Sequence, residues 1–234
     1  MDESQIKELV IAAFVRELEQ GRKHRPPTND FHISELVFDC PRAITLRRSI
    51  GDFFYRYQSI FRLNVGRKIH EIPILANHEQ QLKWCGITGT PDEYGNGVLL
   101  EKKTTYHVPG NSPYHHHTLQ TEYYKILLEH NNCPVLAGFV LYYDLSQPDD
   151  PIHLLPVNFR KNKDIETDML QRKEHLLQYF GPKAPKQNIS PRSVSWVCNY
   201  CDYVYMCFLP DSKLEKIIGA AKNARLGNIL FDLE

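Results

Sequence analysis

The 234-residue sequence has no surplus charge of either sign: 28 Lys and Arg stand against 28 Asp and Glu, with 11 His besides. A protein that coats nucleic acid indiscriminately needs a broadly positive surface, so the balance argues against one and leaves room only for a local basic groove around an acidic centre. Long hydrophobic runs are also missing. No stretch approaches the run of about 18 apolar residues that crosses a bilayer, and the charged opening MDESQIKEL has no signal-peptide core. The expectation is a cytoplasmic protein with no membrane partner. No internal repeat and no low-complexity segment occurs, which excludes repeat arrays and compositionally biased tails. Absent too is the GxxxxGK[ST] phosphate loop, so nothing indicates a nucleotide-driven motor. What remains, at 42% apolar residues, is enough for a proper core. One domain over 1–234 is expected.

The stretch around which the rest is organised is GITGTPDEYGNGVLLEKKTT, residues 86–105. Gly95-Asn96-Gly97 is a hairpin turn signal, and Val98-Leu99-Leu100 leads a strand into Glu101-Lys102-Lys103. Side chains alternate along a strand, so Glu101 and Lys103 share one face while Lys102 points away. Asp92 lies on the partner side of the hairpin. Two carboxylates brought close repel, and a hard divalent cation with oxygen ligands relieves that repulsion, while a neighbouring lysine can hold a water at the metal. Such a group suits phosphodiester hydrolysis. The alternative is a charged hairpin end facing solvent.

Helical spacing marks residues 4–20, with Ile6, Leu9, Val10, Ala13, Phe14 and Leu18 on one side, and again residues 59–76. In the second segment Gly66 and His70 are one turn apart. His70 either fills the core or brings an imidazole to the cation beside Asp92 and Glu101. Ser34 is a candidate cap for a short helix, and Pro41 marks a break or a first helical turn. Residues 104–113 read as a polar loop, and His115, His116 and His117 as wet surface or groove residues. A helix over 118–129 places Gln120 and Tyr124 on one face, where they can serve a phosphate or pack against a sheet. Val135 to Tyr143 is a buried strand. Ile152 to Phe159 is a second, at an edge because Pro156 lacks a ladder donor, and a charged helix covers 162–179. Helix, hairpin, helix, strand, strand, helix describes a mixed central sheet flanked by helices, an α/β core.

Six cysteines remain. Cys85 and Cys133 read as small buried hydrophobes. Cys198, Cys201 and Cys207 are clustered, and Cys40 is the best candidate for a fourth ligand. Four thiolates select tetrahedral zinc or an iron–sulfur cluster, and spacing alone leaves both open.

The ordered set Cys40, Gly66 with His70, Gly89-Thr90-Pro91-Asp92, Glu101-Lys102-Lys103, Gln120 with Tyr124, and Cys198, Cys201 and Cys207 resembles the CRISPR-associated, RecB-like nucleases of the PD-(D/E)xK superfamily that carry an iron–sulfur cluster. The resemblance implies a restriction-endonuclease-like core whose N- and C-terminal segments, 1–60 and 180–220, are joined by a [4Fe–4S] cluster on Cys40, Cys198, Cys201 and Cys207. It also implies Mn2+ or Mg2+ held by His70, Asp92, Glu101 and the Lys102 carbonyl, with Lys103 orienting or activating water and Gln120 and Tyr124 assisting on the substrate side. Family members act on single-stranded DNA ends, commonly 5′ to 3′, in CRISPR spacer acquisition beside integrase proteins. Self-association into a homo-oligomer is a further expectation. Two alternatives accompany this one: a largely non-catalytic partner that guides DNA ends into the integration complex, and a DNA-repair nuclease of the same fold.

Overall fold

The computed structural model describes residues 4–10, 12, 30–38, 40–50, 57–178, 198 and 201–223. The chain divides into two compact units: Met1–Pro27, Cys40–Asn64 and Tyr179–Glu234 form one, and Thr28–Asp39 and Val65–Gln178 the other. Most of the helix expected over 4–20 and the whole proline-rich loop over 181–192 lie outside the described residues.

In the first unit residues 4–10 are helical (α1). Helix α3 (Pro41–Ile50) starts on a proline, whose missing N–H costs nothing at that position. It lies against α7 (Asp211–Asn223), and the buried Arg42 guanidinium donates from Nη2 to Asp211 Oδ1 at 3.4 Å. A 3-10 turn covers Val204–Phe208. All four candidate cluster cysteines, Cys40, Cys198, Cys201 and Cys207, belong to this unit.

The second unit carries two sheets. Strand β1 (Phe31–His32) leads into the one-turn helix α2 (Ile33–Leu36). The helix is capped by His32, whose Nδ1 accepts the Ser34 N–H while Glu35 accepts the His32 N–H, so the cap is the histidine rather than Ser34. Strands β3 (Leu82–Trp84) and β4 (Ile87–Gly89) complete a three-stranded sheet in the order β1-β4-β3. The five-stranded sheet contains β2 (Asn77–His78), β5 (Glu93–Gly95), β6 (Val98–Thr105), β7 (Ala137–Asp144) and β8 (Ile152–Pro156), in the order β2-β5-β6-β7-β8. Only β6 and β7 run parallel, with α5 (His115–His130) as their crossover, so the sheet is mixed as expected. The β5–β6 hairpin closes through Asn96 and Gly97, both at positive φ (51° and 78°), which is why the chain needs Asn-Gly there. Strand β8 is the edge, where Pro156 is tolerated.

Helix α6 (Asn162–Leu177) packs on α5 through a charged seam: Arg160 donates to Glu122 and Asp168, and the Tyr123 hydroxyl donates to Asp168 Oδ2 at 3.1 Å. Several boundaries differ from the sequence reading. Helix α4 (Tyr57–His70) ends at His70 rather than continuing to residue 76, because Pro73 has no N–H to continue it. The three histidines open α5 instead of preceding it. Cys85 is exposed at a positive-φ turn and Cys133 is only half-buried, so neither is a core residue.

Candidate active site

Strand β6 sorts its charged residues by alternation. Glu101 and Lys103 share one face and pair, Lys103 Nζ to Glu101 Oε1 at 2.5 Å. Asp92 stands on the short link between β4 and β5. Its Oδ2 accepts the Lys102 backbone N–H at 2.7 Å, and its Oδ1 lies 2.9 Å from His70 Nδ1 at the end of α4. Four of the residues named from sequence are therefore gathered, with His70 reaching Asp92 rather than merely filling the core.

Burial sets the electrostatics. Glu101 is almost wholly buried, and burial, reinforced by the Asp92 charge, pushes its carboxyl up to about 7 against the pull of Lys103 and His70. Burial also works against ionising Asp92, but the His70 hydrogen bond, the Lys103 charge and the Lys102 N–H outweigh it and hold Asp92 below the usual range. For Lys103 burial favours the neutral amine, yet Glu101 and Asp92 raise it, so it stays an ammonium. Glu101 Oε2 is buried with no hydrogen-bond partner.

That orphaned oxygen beside a second carboxylate and an imidazole is a donor set a divalent cation fits, since the ion would satisfy Oε2 and relieve the Asp92–Glu101 repulsion. Among the described residues no three His, Cys, Asp or Glu side chains already converge as a metal cage. The ligands are instead paired with one another through His70–Asp92 and Lys103–Glu101. Thiol chemistry in the first unit fits a thiophilic group in the same sense: Cys40, Cys198, Cys201 and Cys207 are all buried and outside any disulfide. Burial, with Cys40 and Cys207 close enough to add to it, pushes the Cys201 thiol up to about 12, a protonated state that a metal would reverse.

On the opposite face of β6, Lys102 is fully buried and its Nζ pairs with Glu93. Lys102 Nζ also donates to the carbonyls of Ile72 at 2.5 Å and His70 at 3.3 Å, while the Glu93 carboxylate accepts the N–H groups of Ile74 and Leu75. The backbone on which His70 sits is thus tied to the strand that carries Glu101. Sequence reading missed Glu93. The available signal was its place directly after Asp92 at the start of the hairpin, where successive side chains of an extended chain face opposite ways.

Gln120 and Tyr124 are joined to each other, Nε2 donating to the hydroxyl at 3.2 Å. The Tyr124 ring lies on β4, and a Cβ built on Gly89 would stand 2.7 Å from its Cε1, so only glycine admits the ring there. Gln120 makes no bond to His70, Asp92, Glu101 or Lys103 among the described residues. The histidine triplet, by contrast, is nearer the acid–lysine group than expected. His117 Nδ1 is 2.8 Å from the Tyr142 hydroxyl, and Tyr142 is the register partner of Lys103 on β7. His117 could have been found from its spacing: it precedes Gln120 by three residues and Tyr124 by seven, on one helical face.

No protein-family model matches the sequence, and no curated protein matches it. Among solved structures, the crystal structure of SSO0001 superposes with a TM-score of 0.55 at 18% identity, covering 87% of this chain and 96% of that one. The two share a fold. Weaker likenesses are to an alkaline exonuclease from Laribacter hongkongensis (TM-score 0.41, 14% identity, 65% of this chain and 90% of that one) and to a candidate exonuclease from Eubacterium rectale (TM-score 0.37, 11% identity, 68% and 70%). No helix among the described residues is long and apolar enough to cross a membrane.

Proposed function

We propose that the chain is a metal-dependent DNA exonuclease that hydrolyses phosphodiester bonds at single-stranded ends, 5′ to 3′, as one of the RecB-like nucleases of CRISPR spacer acquisition. The observation that carries this reading is a buried group in which Lys103 pairs with Glu101, His70 pairs with Asp92, the two carboxylates feel each other's charge, and Glu101 Oε2 is left unsatisfied. A surface ion pair has no reason to bury such an atom.

His70, Asp92 and Glu101, with the Lys102 carbonyl, are the residues that would hold Mn2+ or Mg2+. Bound there, the ion supplies Lewis-acid polarisation of a phosphate oxygen and a water of lowered pKa. The chain's own groups do the rest. Lys103 keeps its proton, so its contribution is donation, orienting the attacking water or meeting charge that develops on the phosphate oxygens. Asp92 is held in one orientation by the Lys102 N–H and by His70, which fixes it without reorganisation as substrate arrives. An imidazole beside two carboxylates favours manganese over magnesium, and calcium is expected to support binding without efficient turnover. A [4Fe–4S] cluster on Cys40, Cys198, Cys201 and Cys207 serves as a structural staple, since hydrolysis moves no electrons. DNA ends, CRISPR integrase proteins and further copies of the chain are the partners this reading names.

The test is end-labelled single-stranded DNA incubated with manganese. Wild type is expected to release nucleotides from one end, and Asp92→Ala and Lys103→Ala to lose cleavage while keeping the wild-type circular dichroism spectrum. Undiminished cleavage by both variants would defeat the assignment. DNA binding with no product at any manganese concentration would instead favour the end-guiding partner.

A further inference from the structure

At the start of α5 the chain builds a small polar relay that the site described above does not use. Tyr142 is completely buried on β7, directly beside Lys103 in the parallel ladder, so the two side chains stand on the same face of the sheet. Its hydroxyl accepts the backbone N–H of Tyr114 at 3.1 Å and meets His117 Nδ1 at 2.8 Å. A phenol has a single hydrogen to give. The Tyr114 contact uses Tyr142 as an acceptor, and among the described residues only Nδ1 offers an acceptor for the phenol hydrogen, so the arrangement that leaves no buried hydroxyl hydrogen unsatisfied has Tyr142 donating to Nδ1. Burial keeps the phenol protonated, moving Tyr142 up to about 12, and burial together with the Lys103 charge drives His117 down to about 2. A neutral imidazole that accepts at Nδ1 carries its own proton on Nε2. That N–H makes no hydrogen bond among the described residues, and the ring stands within the field of the Lys103 ammonium.

We infer that His117 is a substrate-side residue, a neutral Nε2–H donor to a phosphate oxygen of the single-stranded DNA bound at Lys103, with Tyr142 as the positioning residue that fixes its tautomer. The inference rests on the nuclease reading for the identity of the substrate. A neutral donor has a physical advantage here. A second cation beside Lys103 would compete with the metal ion for the same carboxylates, whereas an N–H dipole held in place adds stabilisation to phosphate without adding charge. His117 and the half-buried Gln120 lie one turn apart on one face of α5, so the DNA strand would run along the helix between them.

The experiment compares His117→Ala, His117→Gln, His117→Asn and Tyr142→Phe with wild type, reading both cleavage of an end-labelled oligothymidine with manganese and its binding without metal, by fluorescence anisotropy in EDTA. Glutamine places an N–H where Nε2 stands and asparagine where Nδ1 stands. The expected result is a loss of about 10- to 100-fold in kcat/KM, with weaker binding, for the Ala and Asn variants. Glutamine should recover most of that loss. Tyr142→Phe, which frees the tautomer, should fall between. Melting curves show that each variant is folded, and glutamine rescue is a result no purely structural role produces. If glutamine and alanine are equally impaired, or all four variants match wild type, the proposal is overturned. If wild type binds DNA but never cleaves it, the nuclease reading fails while the binding arm still decides for or against His117. If wild type neither binds nor cleaves, both fail together.

Discussion

Lys102 and Glu93 form a fully buried ion pair on the face of the central sheet opposite Glu101 and Lys103, and between them they bond to the backbone of residues 70, 72, 74 and 75. A charge pair in such a place is weak evidence for stability by itself, because desolvation offsets much of its attraction. Its position is more telling. It ties the end of α4, where His70 sits, to the strand that carries Glu101 and Lys103.

Replacing Lys102 by Met is therefore expected to do two separable things. Leaving Glu93 buried without its partner should destabilise the protein by about 3–5 kcal/mol. Loss of the bonds to the His70 and Ile72 carbonyls should also loosen the His70–Asp92 contact, weakening manganese affinity about 10-fold or more. Adding Glu93→Gln should return part of the stability and little of the affinity. Urea denaturation and manganese titration calorimetry read the two effects independently, and full recovery of affinity in the double variant would show that the pair does not position His70.

Much of this arrangement was legible in the sequence, and the reason is geometric. Period-two alternation on β6 separates Glu101 and Lys103 from Lys102 whatever the rest of the fold does, and Asn96-Gly97 admits one kind of turn. Edge placement of β8 followed from Pro156 alone. What could not be read were relationships between distant segments. Alternation on β6 says only that Lys102 points away from Glu101 and Lys103, because the carbonyls of residues 70 and 72 that accept from its amine come from a segment 30 to 32 residues earlier. His117 was hidden among three histidines for the same reason, since Tyr142 on β7 decides which of them is held. Cys85 and Cys133 were misjudged because a preceding Trp and a following Pro-Val-Leu run suggested burial, whereas both lie at turns, next to Gly86 and Asn132, where the backbone takes positive φ.

The cysteines give a prediction that does not depend on the active site. Four buried cysteines in one unit, none in a disulfide, are expected to hold iron, so protein purified without oxygen should be brown, with iron and acid-labile sulfide present. Cys201→Ala should lower the melting temperature by about 5 °C or more, with activity falling only as folded protein is lost. A colourless wild type containing one zinc per chain would replace the cluster by zinc and keep the staple. A wild type free of both metals, with Cys201→Ala melting normally, would remove the site altogether.

Half-buried His117 and buried Glu101 in the second unit titrate in opposite senses, and their effects on stability can be separated. Folding moves His117 from an ordinary 6.5 down to about 2, so below pH 6.5 the unfolded chain takes up a proton that the native state refuses. Through His117, stability is complete above pH 6.5 and is lost as the pH falls, with a slope of at most one proton, about 1.4 kcal/mol per pH unit. Folding moves Glu101 the other way, from 4.5 up to about 7, so between those values the native state keeps a proton the unfolded chain has released. Through Glu101, stability is greatest at pH 4.5 and falls as the pH rises to 7. In metal-free protein the two slopes oppose each other between pH 4.5 and 6.5, and urea denaturation should show little net dependence on these groups. His117→Gln removes one of them, so its stability relative to wild type should fall as the pH is raised across that window. Glu101→Gln removes the other, so its stability relative to wild type should rise. Parallel pH profiles for wild type and both variants would mean that neither group is held in the protonation state its surroundings impose.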